Sequence, residues 1–414
     1  GKIEASMRVS DVVQGLFPGI VGVPRQGDLD APSQTYRSGI PQQHATRTQL
    51  TGQWKSATNV LGKSQSLKAS VAWNQRLELA PPHAHGWGPE PDSDLSLSLK
   101  EWTGFLESTS RGPHDTWGMQ LEGLAVATAG WEFLLPSHRR LRWSILGEKS
   151  IGMQKLGIRA DLVGTEQVGH EEPLYNAAGA IVGSDRRASA MRRLIPGGMA
   201  SWLVNLEPVM AAWTGTASVT AYTRAPSNYE LGAHGVHHGT FRFEQGNAAL
   251  PSEKSIEARF QARSLASKAG WSWNVKAFSA LHRDFIALGP SGTFASISHA
   301  GQVYTFESVN AFRTGLEASV QATKGVWSAS ADGSLLGQWD VETGLGLPFT
   351  TPAQLHIVIG RNLNPNHHLT VSCRAIADAT LTARNEAPTE GALLWGLGWS
   401  LARRVGTWSI NLHN

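Results

Sequence analysis

Apolar and polar residues alternate along most of this chain, a spacing that puts successive side chains on opposite faces of extended strands. Trp73, Leu77 and Leu79 alternate with Asn74, Arg76 and Glu78, and Leu95, Leu97 and Leu99 interleave with Ser96 and Ser98. Ile256, Ala258, Phe260 and Ala262 alternate with Glu257, Arg259, Gln261 and Arg263, and Leu393, Trp395, Leu397, Trp399 and Leu401 repeat the pattern near the end. Charges are frequent on the second face, which suits a wet lumen better than a dry sandwich core. Helical periodicity of comparable length does not occur. The pattern predicts an all-β fold of roughly seventeen strands.

The links between these segments alternate in length. Short turns are predicted near 58–65, 107–114, Glu148–Ile151, 207–212, 267–270, Thr323–Gly325, 363–366 and Arg403–Gly406. Long polar inserts fall between them, near 16–44, 80–93, 128–140, 164–198, 225–252, 288–301, 339–351 and 379–391. Tight turns on one rim and long loops on the other are the plan of an antiparallel transmembrane β-barrel, with short periplasmic turns and long extracellular loops. Trp102, Trp117, Trp213, Trp271, Trp327 and Trp408 read as lying close to the short turns, where an aromatic girdle is expected. The alternative for these residues is that they cap a hydrophobic core at strand ends. Lipid leaves no backbone group unpaired, and an odd number of strands leaves the first and last parallel. The chain is therefore expected to supply most of a barrel and to need partner strands.

Composition agrees without deciding. Charged residues are 17% of the chain, against about 25% in a typical soluble domain. No run approaches the ~18 apolar residues of a membrane helix. A Gly-rich sandwich or propeller would look similar. The net charge of +3 comes from scattered residues, so nucleic-acid binding is not expected. The pairs Arg186-Arg187, Arg192-Arg193 and Arg403-Arg404 read as solvated turns. A lone Cys373 excludes an intrachain disulfide framework and a multi-Cys metal site. There is no G-x-S-x-G, H-E-x-x-H or P-loop, and an enzyme is not expected. The first residues, Gly1-Lys-Ile-Glu-Ala, have no signal-peptide pattern, so a mature or trimmed chain is expected.

The candidate chemistry lies in the long inserts. His234, His237 and His238 form the candidate metal set, with Glu230 and Glu244 beside them, because imidazole and carboxylate together suit zinc or iron. Adjacent His237 and His238 reach one ion only from a loop conformation. No complete ligand spacing appears, and hydrogen bonding within the loop is the alternative. His83 and His85 share a face of an extended segment, with Trp87 placed to stack on a flat haem or catecholate; a polar loop tip is the competing reading. Arg159, Arg224, Arg259, Arg263 and Arg313 face the lumen in this register. They either attract anionic chelates, pair with Glu257, Glu317 and Asp161, or contact a plug.

The wording of the chain then takes the reading further. Tyr222-Thr-Arg-Ala-Pro-Ser-Asn-Tyr-Glu-Leu231 resembles the R-a-P-s-x-x-E-L element of TonB-dependent outer-membrane receptors. Asn247…Leu250-x-x-Glu253-Lys-Ser255 follows it, as in that family. Gly157-Ile-Arg-Ala-Asp161, Asn310-Ala-Phe-Arg-Thr-Gly-Leu-Glu317, Leu347-Pro-Phe-Thr-Thr-Pro352 and Ile410-Asn-Leu-His-Asn414 resemble further elements in the expected order. The Gly235-Val-His-His-Gly239 wording is similar to receptors for iron chelates, haem or zinc, particularly Bacteroidetes-type ones.

The resemblance implies an outer-membrane receptor of a Gram-negative bacterium. Such a receptor binds a scarce metal or metal chelate (ferric siderophore, haem or zinc) at its outer loops and imports it with energy from TonB-ExbB-ExbD. Its implied partners are outer-membrane lipid, that energising system and the chelate, with no intrinsic cofactor. The family barrel has about 22 strands. Residues 1–414 then correspond to the barrel domain, with the plug, about four first strands and the last strand expected outside it. A passive porin-like channel and a structural or adhesive barrel subunit are the alternatives.

Overall fold

In the computed structural model of the chain, the described residues are 1–15, 42–56, 62–82, 88–206, 213–237, 240, 242–264, 270–295 and 301–414. The strands of the wall follow one another in chain order, each antiparallel to the last. The first seven are β1 (Lys2–Gly15), β2 (Gln42–Lys55), β3 (Ser64–Leu79), β4 (Leu95–Arg111), β5 (Asp115–Ala129), β6 (His138–Ile151) and β7 (Gln154–Gln167). A two-stranded hairpin, β8 (His170–Tyr175) and β9 (Ile181–Ala188), stands in the insert that follows. The wall continues with β10 (Met191–Leu206) and β11 (Trp213–Arg224). The next insert contains the helix α1 (Asn228–Gly232) and the short strands β12 (His234–His237) and β13 (Arg242–Gln245). The wall resumes with β14 (Glu253–Ser264), β15 (Trp271–Phe294), β16 (Gln302–Lys324) and β17 (Trp327–Asp340). It ends in β18 (Gln354–Asn364), β19 (His367–Ile376), β20 (Ala392–Arg403) and β21 (Gly406–His413).

Among the described residues nineteen strands join one sheet, and setting aside β12 and β13, which lie in an insert, leaves seventeen in the wall. This is the number that the alternation predicts. Four of the eight predicted short turns coincide with gaps at one rim, as where β4 hands over to β5 across 112–114 and β20 to β21 across 404–405; the one expected at Glu148–Ile151 comes just after those residues, at 152–153, because β6 runs on to Ile151, and those near 58–65, 207–212 and 267–270 lie wholly or partly outside the described residues. Gly152 and Gly325 sit in two of these turns at φ of 59°, a left-handed conformation that costs glycine little. Among the described residues β1 pairs only with β2, and β21 only with β20.

The two faces of the wall are chemically inverted relative to a soluble protein. Directly opposed residues share a face, and Ile256 opposite Leu281, Leu316 opposite Leu335 and Leu397 opposite Leu412 are all exposed. The other face carries paired polar groups. Asp161 Oδ1 accepts from Ser144 Oγ at 2.6 Å and Arg159 Nε at 2.7 Å, while Oδ2 accepts from Arg142 Nη2 at 3.0 Å. Apolar side chains outward and polar ones inward make this the wall of a transmembrane β-barrel.

Four details differ from the sequence reading. The 288–301 insert is shorter than expected, because β15 runs on to Phe294. A bulge after His282, with Asp284 at φ 59°, resets the register beyond which Pro290 and Gly292 are still accommodated. Trp102 is not near a short turn: it lies nine residues before the end of β4 and packs on Trp73 with ring centroids 6.4 Å apart. At ~3.4 Å per residue and a tilt of ~40°, that places it about 23 Å above the short-turn rim, at the other edge of the apolar belt. Trp117 and Trp327, by contrast, stand within the first three residues of their strands at the lower edge. Arg186-Arg187 and Arg192-Arg193 are not in turns; they lie in β9 and at the start of β10.

Candidate ligand region at the long-insert rim

β15 and β16, at 24 and 23 residues, are much longer than the ~9–11 residues needed to cross a bilayer. Their extra length forms a platform on which the 225–252 insert folds. Pro226 is fully buried and fixes the exit from β11. Ser227 then caps α1 in a capping box: its Oγ accepts from Glu230 N at 3.2 Å, and its own N–H donates to Glu230 Oε2 at 2.7 Å. Asn228 is buried against Thr165 of β7, with Nδ2 2.8 Å from the hydroxyl. Leu231, Ala233 and Leu250 pack on Ile286 and Phe306 of the two long strands, closing a small core. β13 adds in parallel to β16, with Phe243 beside Val303 and Gln245 beside Thr305.

An ionic lock fastens the insert to the wall. Arg224 donates through Nη1 to Glu230 Oε2 at 3.0 Å and through Nη2 to Glu253 Oε2 at 3.1 Å. Glu253, nearly fully buried, also accepts from the Ile286 N–H. Beside it Ser255 Oγ and His282 Nδ1 are 2.6 Å apart. Asn247 completes the frame: its N–H donates to Glu230 O, and its Oδ1 accepts from Ala249 N. Arg224, Glu230, Asn247, Leu250, Glu253 and Ser255 are thus neighbours, and their chemistry is consumed in holding the insert.

The other site candidates divide. His234 is half-buried, donates its backbone N–H to Leu134 O, and meets the Phe243 ring edge-on with centroids 5.2 Å apart. Its Nδ1 is buried without a partner among the described residues. Burial lowers its pKa, and the nearby Arg187 guanidinium adds to the effect. Glu244 is buried, with Oε2 unpartnered, and burial pushes its pKa up to about 7. His234 stands opposite Gln245 and Glu244 opposite Gly235, so the two occupy opposite faces of the hairpin. His237 ends β12 opposite Arg242. His238, His83, His85 and Trp87 lie outside the described residues. Among the described residues no group of three or more His, Cys, Asp or Glu is gathered closely enough for a metal ion.

All five lumen arginines fall on the inner face by register. Arg159 and Arg259 pair with Asp161 and Glu257. Arg313 does not pair with Glu317: it donates Nε to Gln338 Oε1 at 3.0 Å and lies over the Phe285 ring. Lys276 takes Glu317 instead.

One cluster has no counterpart in the sequence reading. The Arg242 guanidinium lies 4.7 Å from the Tyr304 ring centroid and 4.5 Å from that of Phe349, and these rings are nearly parallel, 5.9 Å apart. Phe349 is exposed and holds a positive φ of 58°. A half-buried cation beside two rings suits an anionic ligand with flat rings. Its members come from three separate inserts or strand extensions, so no local spacing announces it.

No protein-family model matches the chain, and comparison with curated protein sequences gave no match. The fold is nevertheless similar to that of solved transporters and receptors. It is similar to the copper transporter OprC with a TM-score of 0.65 and 13% identity, over 90% of this chain and 59% of that one. The ferric-catecholate import receptor Fiu from E. coli K12, in its closed form, gives 0.61 at 12% identity, over 100% of this chain and 68% of that one. The F5-1 variant of the FrpB iron transporter from Neisseria meningitidis gives 0.61 at 10%, over 100% and 65%. The chain spans about 59–68% of the length of these structures. At such identities the likeness is one of fold.

Proposed function

We propose that the chain is the barrel portion of a TonB-dependent receptor in the outer membrane of a Gram-negative bacterium. It binds a scarce metal or metal chelate at the long-insert rim and imports it. The observation that carries the reading is the lock of Arg224, Glu230 and Glu253: residues whose wording resembles the family signature fold into one unit at the mouth of a seventeen-strand wall. Support also comes from solved structures of the same fold, described as a copper transporter, a ferric-catecholate import receptor and an iron transporter. The Arg242–Tyr304–Phe349 cluster favours an anionic chelate with flat rings over a bare cation. The proposed energy source is TonB-ExbB-ExbD, acting on a plug domain that the family carries ahead of its barrel.

The test is uptake by the bacterium that makes the protein, with and without the gene. Labelled ferric catecholate, haem and zinc are offered in turn, before and after an uncoupler collapses the inner-membrane proton gradient. Import of one of them should need both the gene and the gradient. Gene-dependent import that survives the uncoupler would mean a passive channel. Equal import of all three in both strains would leave a structural role and remove the receptor reading.

A further inference from the structure

Two neighbouring cations on this wall face away from the lumen. Lys254 of β14 stands directly opposite Arg283 of β15, and both are exposed. Two residues below them Ile256 and Leu281 oppose each other on the outward apolar face, so strand alternation puts the cations on that face too. Ser255 and His282, between them in sequence, are buried towards the other side. Lys254 lies ten residues above the lower end of β14. That is a height of about 26 Å for a strand rising ~3.4 Å per residue at ~40° of tilt, and the apolar band of such barrels is about 25 Å tall. The pair therefore stands at the upper edge of the band.

Beneath the pair the wall is thin. Gly198 opposes Thr223 and Ala200 opposes Ala221, so two adjacent strands present only small side chains outward. With Ile256 and Leu281 along one side, they line a groove of about 620 Å³ that Lys254 and Arg283 close at the top. Higher on the same sector Arg139 and Arg192 flank Glu166, again on the outward face. The charged neighbours of the pair do not neutralise it. Lys254 has no ion-pair partner among the described residues, and Arg283 has only the Asp284 carboxylate, at 3.8 Å.

Like charges directly opposed across strands repel unless an anion lies between them. A guanidinium and an ammonium together suit a phosphate. A groove of small apolar residues immediately below suits an acyl chain. An occupant meeting both demands has a phosphate and a hydrocarbon tail joined at headgroup height. We propose that the Lys254–Arg283 pair and the groove below it bind a phosphorylated, acylated lipid of the outer leaflet. This rests on the wall's spanning a membrane with the long inserts outward.

The full chain, reconstituted in phosphatidylcholine vesicles with a few per cent diphosphoryl lipid A, is re-extracted in mild detergent and its retained lipid A counted by mass spectrometry. The wild type should retain it. Lys254→Gln/Arg283→Gln should retain about thirtyfold less, each cation contributing about fivefold. Ala221→Trp, which fills the groove and keeps both cations, should also lower retention, while Lys100→Gln, outside the groove, should not. Lipid A stripped of phosphate should fall to the level of the double variant, and inorganic phosphate at millimolar concentration should not displace the lipid. Equal retention by wild type and double variant, retention indifferent to the phosphates, or displacement by inorganic phosphate would overturn the proposal. Protease protection of the strands in plain phosphatidylcholine vesicles tests the membrane reading separately.

Discussion

Glu244 is the group whose burial makes the firmest quantitative demand. It lies on β13 with one carboxylate oxygen unpartnered among the described residues, and burial raises its pKa from 4.5 to about 7. A rise of that size corresponds to about 3 kcal/mol, at ~1.4 kcal/mol per unit. The sign follows from which state ionises first. With the insert undocked, Glu244 loses its proton near 4.5; with the insert docked, it keeps the proton until about 7. Below the lower value both states are protonated and nothing is lost. Between the two values docking weakens as pH rises, and above the upper one the loss is complete and constant. Glu244→Gln removes the ionisation while keeping the shape, so its docking should be flat with pH. Hydrogen exchange of residues 228–250 in detergent, expressed as protection relative to intrinsic rates, measures this. Wild-type protection should fall by about two orders of magnitude from pH 4 to pH 8, and the variant's should not. A constant offset from the amide does not matter, since the slopes are compared. Parallel profiles for the two proteins would refute the burial argument.

Three further outcomes follow from the same rim. Arg224→Met leaves the buried Glu253 carboxylate uncompensated and should cost about 2–3 kcal/mol of insert docking, less than for a wholly buried pair because Arg224 is 39% exposed; hydrogen exchange reads the loss, and Arg224→Met/Glu253→Met should recover part of it. At Gly235 a Cβ would lie 1.5 Å from Phe133 O, so Gly235→Ala should push β12 off the 130–137 segment and speed tryptic cleavage within residues 228–250. Arg242→Ala should weaken binding of a ferric tris-catecholate about tenfold by fluorescence quenching, and Arg242→Lys should restore it only in part.

The wall was legible because a strand's period and a barrel's two rims are local facts. Alternation such as Ile256 to Ala262 needs only neighbours in sequence to be read, and a short turn such as 152–153 needs only a glycine and two strand ends. What failed locally failed for non-local reasons. Pro290 and Gly292 read as the beginning of a loop, yet β15 only bulges there, with Gly292 at φ 82°, and pairs with β16 on both sides, at Pro290–Tyr304 and Phe294–Gln302. Trp102 reads as a lower-girdle residue from distance along the sequence, which leaves out the height gained by each residue of a tilted strand. The Leu95–Leu99 stripe shows the same limit: Leu97 is buried opposite Glu78, on the inner face, because above the apolar belt the outward side no longer meets hydrocarbon.

The candidate site divides along the same line, and the division has a chemical reason. The residues that make the Arg224–Ser255 stretch recognisable are those whose donors and acceptors are already engaged. Both terminal nitrogens of Arg224 are taken by carboxylates, and Glu230 Oε2 accepts from Arg224 and from Ser227 N. Asn247 is committed to Glu230 and Ala249. A group so engaged has little left to offer a ligand without dismantling the insert that presents it. Arg242 is in the opposite position: among the described residues it forms no ion pair, and its guanidinium rests beside two rings of which Phe349 is exposed. Under the proposed function, uncommitted donors rather than family-like wording therefore mark the surface that would be offered to a chelate. That difference also separates two kinds of variant. Substitutions in the lock should change docking of the insert and with it binding of every ligand, whereas substitutions at Arg242, Tyr304 or Phe349 should leave docking intact and change binding according to the charge and planarity of the ligand.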